Sequence, residues 1–582
     1  MKNKIIVCIL TIFLLIIAFW GLYREEAAKE TFPFEFCVVT DENDITIQLW
    51  EDGNNCFYVF VPGYISLEQI EFKKNTFQKI EIANVALEDG MTCESFQLNV
   101  PYSFCYKRYG ETVCKELIFL QSSNVATMYI ETDSGSMEHI WEEKGNEESG
   151  NVMLYTADGR LNYDGRMDSF KGRGNATWSQ YAKKPYLIKL EKEADLLDMG
   201  SGQKWVLLAN SNDSTHMRNK LIYDFAGKVN LPYSPDSQWV DIYLNGEYAG
   251  LYLLSEKIEM DENRVAIEDN KESITGSYIV SMELYERVVG TDETYVVTRT
   301  GEAFRLNDPN QMNAEQLQVL ASQWQSLENA ILAEDGVDPV TGMHYLDMID
   351  LDSWARKYLI EEVFANRDGC AISQYFYCIN GDFPIYAGPV WDYDGSIGAG
   401  GVVLSNGLVA NREYFNASKR TAWFYTLYRK EEFYQRMVEV YEAEFLPELQ
   451  GLLEVEIPAY KELLTDAVYN NEIRWAGMQA HTFEAEVDFM IDFMNDRQEM
   501  LTDIWVDDVE YCHICVDPGY SGKYLYYAVK KGEDLSILTL PEDTPYVHYA
   551  GWYDKNTDLP VDINEPVYED KFLYILGELK TP

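Results

Sequence analysis

Positive charge is scarce in this chain. Its 582 residues hold 47 Lys and Arg against 97 Asp and Glu, a formal net charge of −50. Binding a phosphate backbone needs a basic face, so nucleic acid is excluded as a partner. Histidine is scarce too, at 6 residues. Cys512 and Cys515 form a lone C-x-x-C with only His513 beside it, whereas structural zinc takes four ligands. That pair therefore reads as a small disulfide or two thiols. Apolar residues are not lacking. They make up 47% of the chain, with 14% aromatics and 42 Tyr, which excludes disorder and argues for packed domains. The acid surplus suits a surface kept apart from its copies by self-repulsion.

At this length two to four domains are expected. Lys2 and Lys4 precede an uncharged run from Ile5 to Tyr23, and Glu25-Glu26 follow it. Nineteen such residues span a bilayer, and the flanking charges place the N-terminus in the cytoplasm. Ala27-Ala28 is a poor cleavage site. Residues 1–24 thus read as an uncleaved signal anchor, with a cleaved signal peptide as the alternative, and the main body lies outside the cell. Cys37, Cys56, Cys93, Cys105 and Cys114 agree with export; five is odd, so at most two bridges form among them.

Residues 30–120 read as short strands, with Ile45–Trp50, Cys56–Val61 and Lys79–Ala83 alternating between turns, which predicts a β-sandwich. From 125 to 505 a strand-rich half precedes a helix-rich one. Met128–Thr132 is a strand and 133–150 a loop. Ser214–Val229 has helical spacing capped by Asp213-Ser214, and Val240–Leu254 is a hairpin turning at Asn245-Gly246. Leu351–Ala365, Ala422–Leu453 and Tyr460–Trp505 carry helical patterns. Residues 508–582 turn β-rich again, with strands at Tyr524–Val529 and Tyr549–Asp554.

Two acidic motifs sit close together. Asn366-Arg367-Asp368-Gly369 enters a hairpin of Tyr375–Ile379, Asn380-Gly381 and Phe383–Val390, and Trp391-Asp392-Tyr393-Asp394 leaves it. Phosphoryl transfer needs an aspartate for the acceptor's proton and carboxylates for the magnesium on a triphosphate. Upstream, Phe170 to Trp178 alternates glycines with basic residues, and a strand follows at Lys183 to Leu190. Lys171, Arg173, Lys183, Lys184 and Lys189 fall within nineteen residues of a strongly acidic chain. A polyphosphate ligand accounts for that island, and so does an internal acidic partner. Paired carboxylates also suit a glycosidase, but neutral sugars do not need the basic island.

Several motifs occur in a fixed order: Arg173-Gly174-Asn175 with Thr177-Trp178, Lys184-Pro185-Tyr186, Asp213 with Arg218-Asn219, Asn245-Gly246-Glu247-Tyr248 through Glu256, Asn366-Arg367-Asp368, and Gly388 to Asp394. In that order they resemble the spore-coat-protein-H (CotH) kinase family over about residues 125–505. The resemblance implies an α+β chain whose 125–505 segment is an atypical, protein-kinase-like two-lobed domain. It would use ATP with Mg2+ or Mn2+ to phosphorylate Ser or Thr of secreted or surface proteins. Asp368 matches the catalytic aspartate and Asp392 the metal ligand, with Asp394 a second ligand or orienter. Lys184 or Lys189 would contact phosphate, and Arg173 and Asn175 would lie over the phosphates. Asp213 and Arg218 would fix the lysine, and Glu256 lies in the hinge segment facing adenine. Where protein kinases place an asparagine for a second metal, this chain has Ser373-Gln374. The tail is similar to an internalin-type B-repeat, through Gly551-Trp552-Tyr553 and Glu569-Asp570 to Leu573-Tyr574, which implies a small β-grasp-like module. The rival reading is a non-catalytic adhesin or cell-wall assembly factor on a kinase-like scaffold.

Overall fold

The computed structural model describes residues 34–39, 45–53, 55–74, 79–108, 111–268, 273–366, 368–369, 372–399, 422–478, 481–517 and 525–580. The anchor segment 1–24, Arg367 and Cys370 lie outside them. Among the described residues no helix is long and apolar enough to cross a membrane. The chain divides into two compact units, one of residues 1–122 with 246–248, the other of the remainder.

The first unit holds two sheets. One orders Ile45–Ile47, Phe34–Val38, Ile70–Lys74 and Met91–Thr92. The other has six strands, with Cys56–Val61 parallel to Glu111–Gln121 at its centre. Aromatic rings fill the space between them: Phe34 meets Phe104 edge-on at 5.2 Å and Phe36 meets Phe119 at 5.6 Å. Such pairs favour edge-to-face contact because ring faces are negative and edges positive. Cys105 and Cys114 face each other across adjacent antiparallel strands and form a disulfide, whereas Cys56 and Cys93 are buried thiols.

The second unit begins with a closed seven-stranded barrel. Its order is Ala126–Thr132, Glu147–Tyr155, Leu161–Gly172, Tyr186–Asp195, Ser201–Leu208, Glu247–Glu256 and Ser237–Leu244. Alternation places Phe170, Ile188, Leu190, Trp205 and Leu254 inside. Residues 133–150, expected as a loop, contain the helix Glu138–Glu142 and the start of a barrel strand. The helix expected from Ser214 begins at Arg218. Asp213 explains the delay: its carboxylate accepts from the Thr215 and Arg218 amides at 3.0 Å each, fixing a turn ahead of the helix.

A five-stranded sheet follows, ordered Tyr295–Val297, Ala303–Asp308, Tyr278–Glu283, Gln374–Cys378 and Ile385–Ala387. Helices Ala314–Leu332, Leu351–Val363 and Phe483–Trp505 contribute to the hydrophobic core against which it packs. The pattern expected as one helix over Tyr460–Trp505 divides into Ile457–Arg474 and Phe483–Trp505. The tail forms its own sheet around Ile514, Leu535, Trp552 and Leu573. Cys512 is buried on one face of the strand Tyr511–Asp517, and Cys515, three residues on, points to the other, so the two are not bridged.

Candidate active site

A cleft of about 370 Å3 runs between the barrel and the five-stranded sheet. The barrel contributes Arg173, Leu187 and Val206, followed by Lys257 and Ile258 just past its last strand. The sheet side contributes Arg305, Leu306, Asn307 and Tyr375, and Trp391 lines the cleft as well. Its apolar wall is Leu187, Val206, Ile258 and Leu306, and the charges beside it are of both signs, because Asp292 and Glu293 line the cleft together with the cations.

Trp391-Asp392 follows the sheet's edge strand Ile385–Ala387. The Arg173 guanidinium lies over the Trp391 ring, 5.2 Å from its centre, and Tyr223 stacks parallel to that ring at 5.8 Å. Asp392 adopts a left-handed backbone with φ of 72°, a strained setting for a side-chain-bearing residue and one often found at functional sites. Its carboxylate stays open to solvent, yet protein surrounds it on several sides. That partial loss of hydration raises its pKa; the Arg173 guanidinium opposes the rise and the Asp368 carboxylate adds to it. The two acidic motifs therefore meet closely enough for their charges to interact. Ser373, also left-handed with φ of 55°, donates its hydroxyl to Asp392 Oδ2 at 3.1 Å. The serine that replaces the expected asparagine thus stands beside Asp392. Asp368 is half-buried, and its amide donates to Asn366 Oδ1 at 3.2 Å. Asp394 is half-buried, and its charge reaches Tyr223.

The other expected residues are placed elsewhere. Arg218 is fully buried. It bonds Asp213, Glu486 at 2.9 Å, and the carbonyls of Ser396 at 2.9 Å and Ile397 at 3.2 Å. It ties the segment after Asp392 to the barrel side and to the helix Phe483–Trp505, and does not enter the cleft. Lys184 donates to the Trp178 carbonyl and lies 5.3 Å from the centre of that ring. Lys189 shares the outward strand face with Leu187, but pairs with Asp168 at 3.2 Å. Asn175 is exposed and accepts from Lys144 at 3.1 Å. Lys171 pairs with Glu147 at 3.3 Å, so two of the five cations of the basic island, Lys171 and Lys189, are answered by internal acids, and Lys183 and Lys184 by backbone carbonyls. Gly174 is needed where it stands: its φ is 78°, and a Cβ there would strike the Thr177 hydroxyl. Glu256 is buried, pairs with Arg264 and accepts from the Asp236 amide at 2.9 Å. Burial, only partly offset by Arg264, pushes its carboxyl up to about 7.

Arg173, and Lys257 of the expected hinge segment, do line the cleft; sequence reasoning missed the third cation there, Arg305. Arg305 bonds Glu283 at 3.1 Å, Asn307 at 3.2 Å and Glu293 at 3.4 Å. Burial raises the pKa of Glu283, with Arg305 opposing the rise, and the Asp392 charge reaches it as well. The signal was present as alternation in Ala303–Asp308, but no motif marked that strand. Among the described residues no group of three or more His, Cys, Asp or Glu is arranged around a metal position. Asp392, with Asp368 near it, still fits magnesium bound in the ordinary way to ATP, through one or two carboxylates, with phosphate and water oxygens completing the shell.

The family model described as CotH kinase protein matches residues 170–501, more than half of the chain, so this protein belongs to the CotH kinase family. That span includes the cleft, both acidic motifs and the helix Phe483–Trp505 almost to its end. The first two barrel strands lie ahead of it. No curated protein matches the chain.

Proposed function

We propose that this protein is an atypical protein kinase acting outside the cytoplasm, which moves the γ-phosphate of ATP to Ser or Thr of secreted or surface proteins. The observation carrying this reading is that Asp392, whose charge interacts with Asp368 and Arg173, directly follows Trp391, and that Arg173 and Trp391 line a cleft within the matched region. In this reading the base lies between the barrel wall of Leu187 and Val206 and the segment at Lys257 and Ile258. Arg173 and Arg305 face the phosphates from opposite sides, as preorganised guanidinium donors do. Asp392 holds the magnesium or manganese, whose charge would neutralise the triphosphate when bound. Asp368 takes the proton as the acceptor oxygen bonds to the γ-phosphorus. The bond to the bridging oxygen breaks, and ADP leaves.

Export and membrane anchoring through residues 1–24 belong to the same proposal, and the Cys105–Cys114 bridge supports an oxidising compartment. The test is incubation of the full chain with labelled ATP, Mg2+ or Mn2+, and a Ser-rich acceptor protein. Label on the acceptor or on the chain itself is expected. Absence of label with either metal sinks the kinase reading.

A further inference from the structure

Glu361 lies in the helix Leu351–Val363, is fully buried, and contacts both acidic motifs. Its Oε1 accepts from the Tyr393 hydroxyl and from Lys357 Nζ at 2.5 Å. Its Oε2 accepts from Asn366 Nδ2 at 2.7 Å. Lys357 also reaches the Tyr393 hydroxyl at 3.0 Å. Tyr393 directly follows Asp392, and Asn366 holds the Asp368 amide through its Oδ1. One carboxylate therefore bonds the residue beside the metal aspartate and the residue that orients the acceptor aspartate.

The surroundings allow little slack. A Cβ at Gly369 would strike Glu361 Oε2, so glycine lets the first motif's turn close down on this carboxylate. The Tyr393 amide is held from another direction, by Asn219 Oδ1 at 2.8 Å. Burial, together with the nearby Glu361 charge, raises the Tyr393 pKa well above its ordinary value, so its hydroxyl keeps its proton and donates. Arg497 fixes the end of the same helix, bonding Glu362 at 2.5 Å and the carbonyls of Glu362 and Val363 at 3.0 and 3.2 Å.

We infer that Glu361 is a positioning residue that sets Asp368 and Asp392 at their working separation, a role that rests on the kinase reading. It touches neither ATP nor acceptor. Small displacements of catalytic groups cost large factors in rate, whereas nucleotide affinity is carried by the cleft walls. A purely structural carboxylate would leave turnover of the folded enzyme unchanged when one of its bonds is removed.

The test compares Tyr393→Phe and Glu361→Gln with the wild-type full chain, by steady-state kinetics and by hydrogen exchange of segments 364–374 and 388–397. Tyr393→Phe keeps the ring and the Lys357–Glu361 pair, so it is the variant expected to stay folded. Expected are a kcat at least tenfold lower, a KM for ATP within about twofold, and faster exchange in both segments together. An unchanged kcat in folded Tyr393→Phe overturns the inference, and so does faster exchange in one segment alone. Should the wild type transfer no phosphate at all, the kinase reading falls by itself. Exchange then still decides whether Glu361 couples the two motifs: joint loosening supports the coupling and separate loosening overturns it.

Discussion

Arg173 and Arg218 contact different ends of the segment Trp391–Ile397, at Trp391 and at the Ser396 and Ile397 carbonyls, and serve it differently. Arg218 is sealed, with Asp213, Glu486 and two carbonyls of the segment around its guanidinium. Arg173 lies over an aromatic ring at the cleft, with the solvent-open Asp392 carboxylate in its field. Both residues belong to the ordered motifs and both carry a positive charge, so the sequence gives them equal standing. Solvent access separates them. The sealed side fixes where the segment runs, and the open side leaves charges available for a ligand. The same division recurs among the carboxylates, with Glu361 and Asp213 buried and saturated while Asp392 is open.

This contrast is broken most severely at Arg218. Arg218→Met leaves Asp213 and Glu486 buried without their cation, and the expected loss of stability is about 3–5 kcal/mol. Urea denaturation measures it. A loss below about 1 kcal/mol would mean that the cluster is not sealed. On the open side, Arg305→Ala removes a cleft cation, and the KM for ATP is expected to rise roughly tenfold, in line with a charged hydrogen bond of about 1.5–3 kcal/mol. Unchanged KM removes Arg305 from the phosphate site.

A smaller effect concerns pH. Glu256 titrates near 7 in the folded chain, above its ordinary 4.5, because burial disfavours its charge. A raised folded pKa gives stability that is complete below pH 4.5 and lost as pH climbs toward 7. Glu302, also pushed up to about 7 by burial, adds a second contribution of the same sign. Glu256→Gln should therefore flatten part of the fall in Tm between pH 4.5 and 7, and an identical slope in wild type and variant contradicts the assignment. The smallest effect is expected from Lys184→Met and Lys189→Met, whose charges are turned to Trp178 and Asp168. KM for ATP should stay within about twofold in both. A tenfold rise in either would return that lysine to the phosphate site.

Much of this was legible in the chain itself. Alternation at Tyr375–Ile379 and the Asn380-Gly381 turn located the hairpin, and the two motifs at its ends do meet. The family assignment followed from motif order. Closure of the barrel was not legible, because the strand Glu147–Tyr155 begins in a Glu- and Gly-rich stretch that reads as a loop. The charge partners were hidden for a different reason. Lys189 and Asp168 are twenty-one residues apart, and Arg218 and Glu486 far more, so no local pattern shows that these cations are already paired. Arg305 was overlooked for the converse reason: nothing near it in sequence says that its strand borders the cleft.

The central claim is that the two motif aspartates have separate jobs. The most direct measurement is Mn2+·ATP binding alongside labelled-phosphate transfer for the wild type, Asp368→Asn and Asp392→Asn. The account predicts that Asp368→Asn binds Mn2+·ATP like the wild type while transfer falls by about 10²–10⁴-fold. Asp392→Asn should lose both binding and transfer. Equal binding and equal transfer in all three proteins would contradict it.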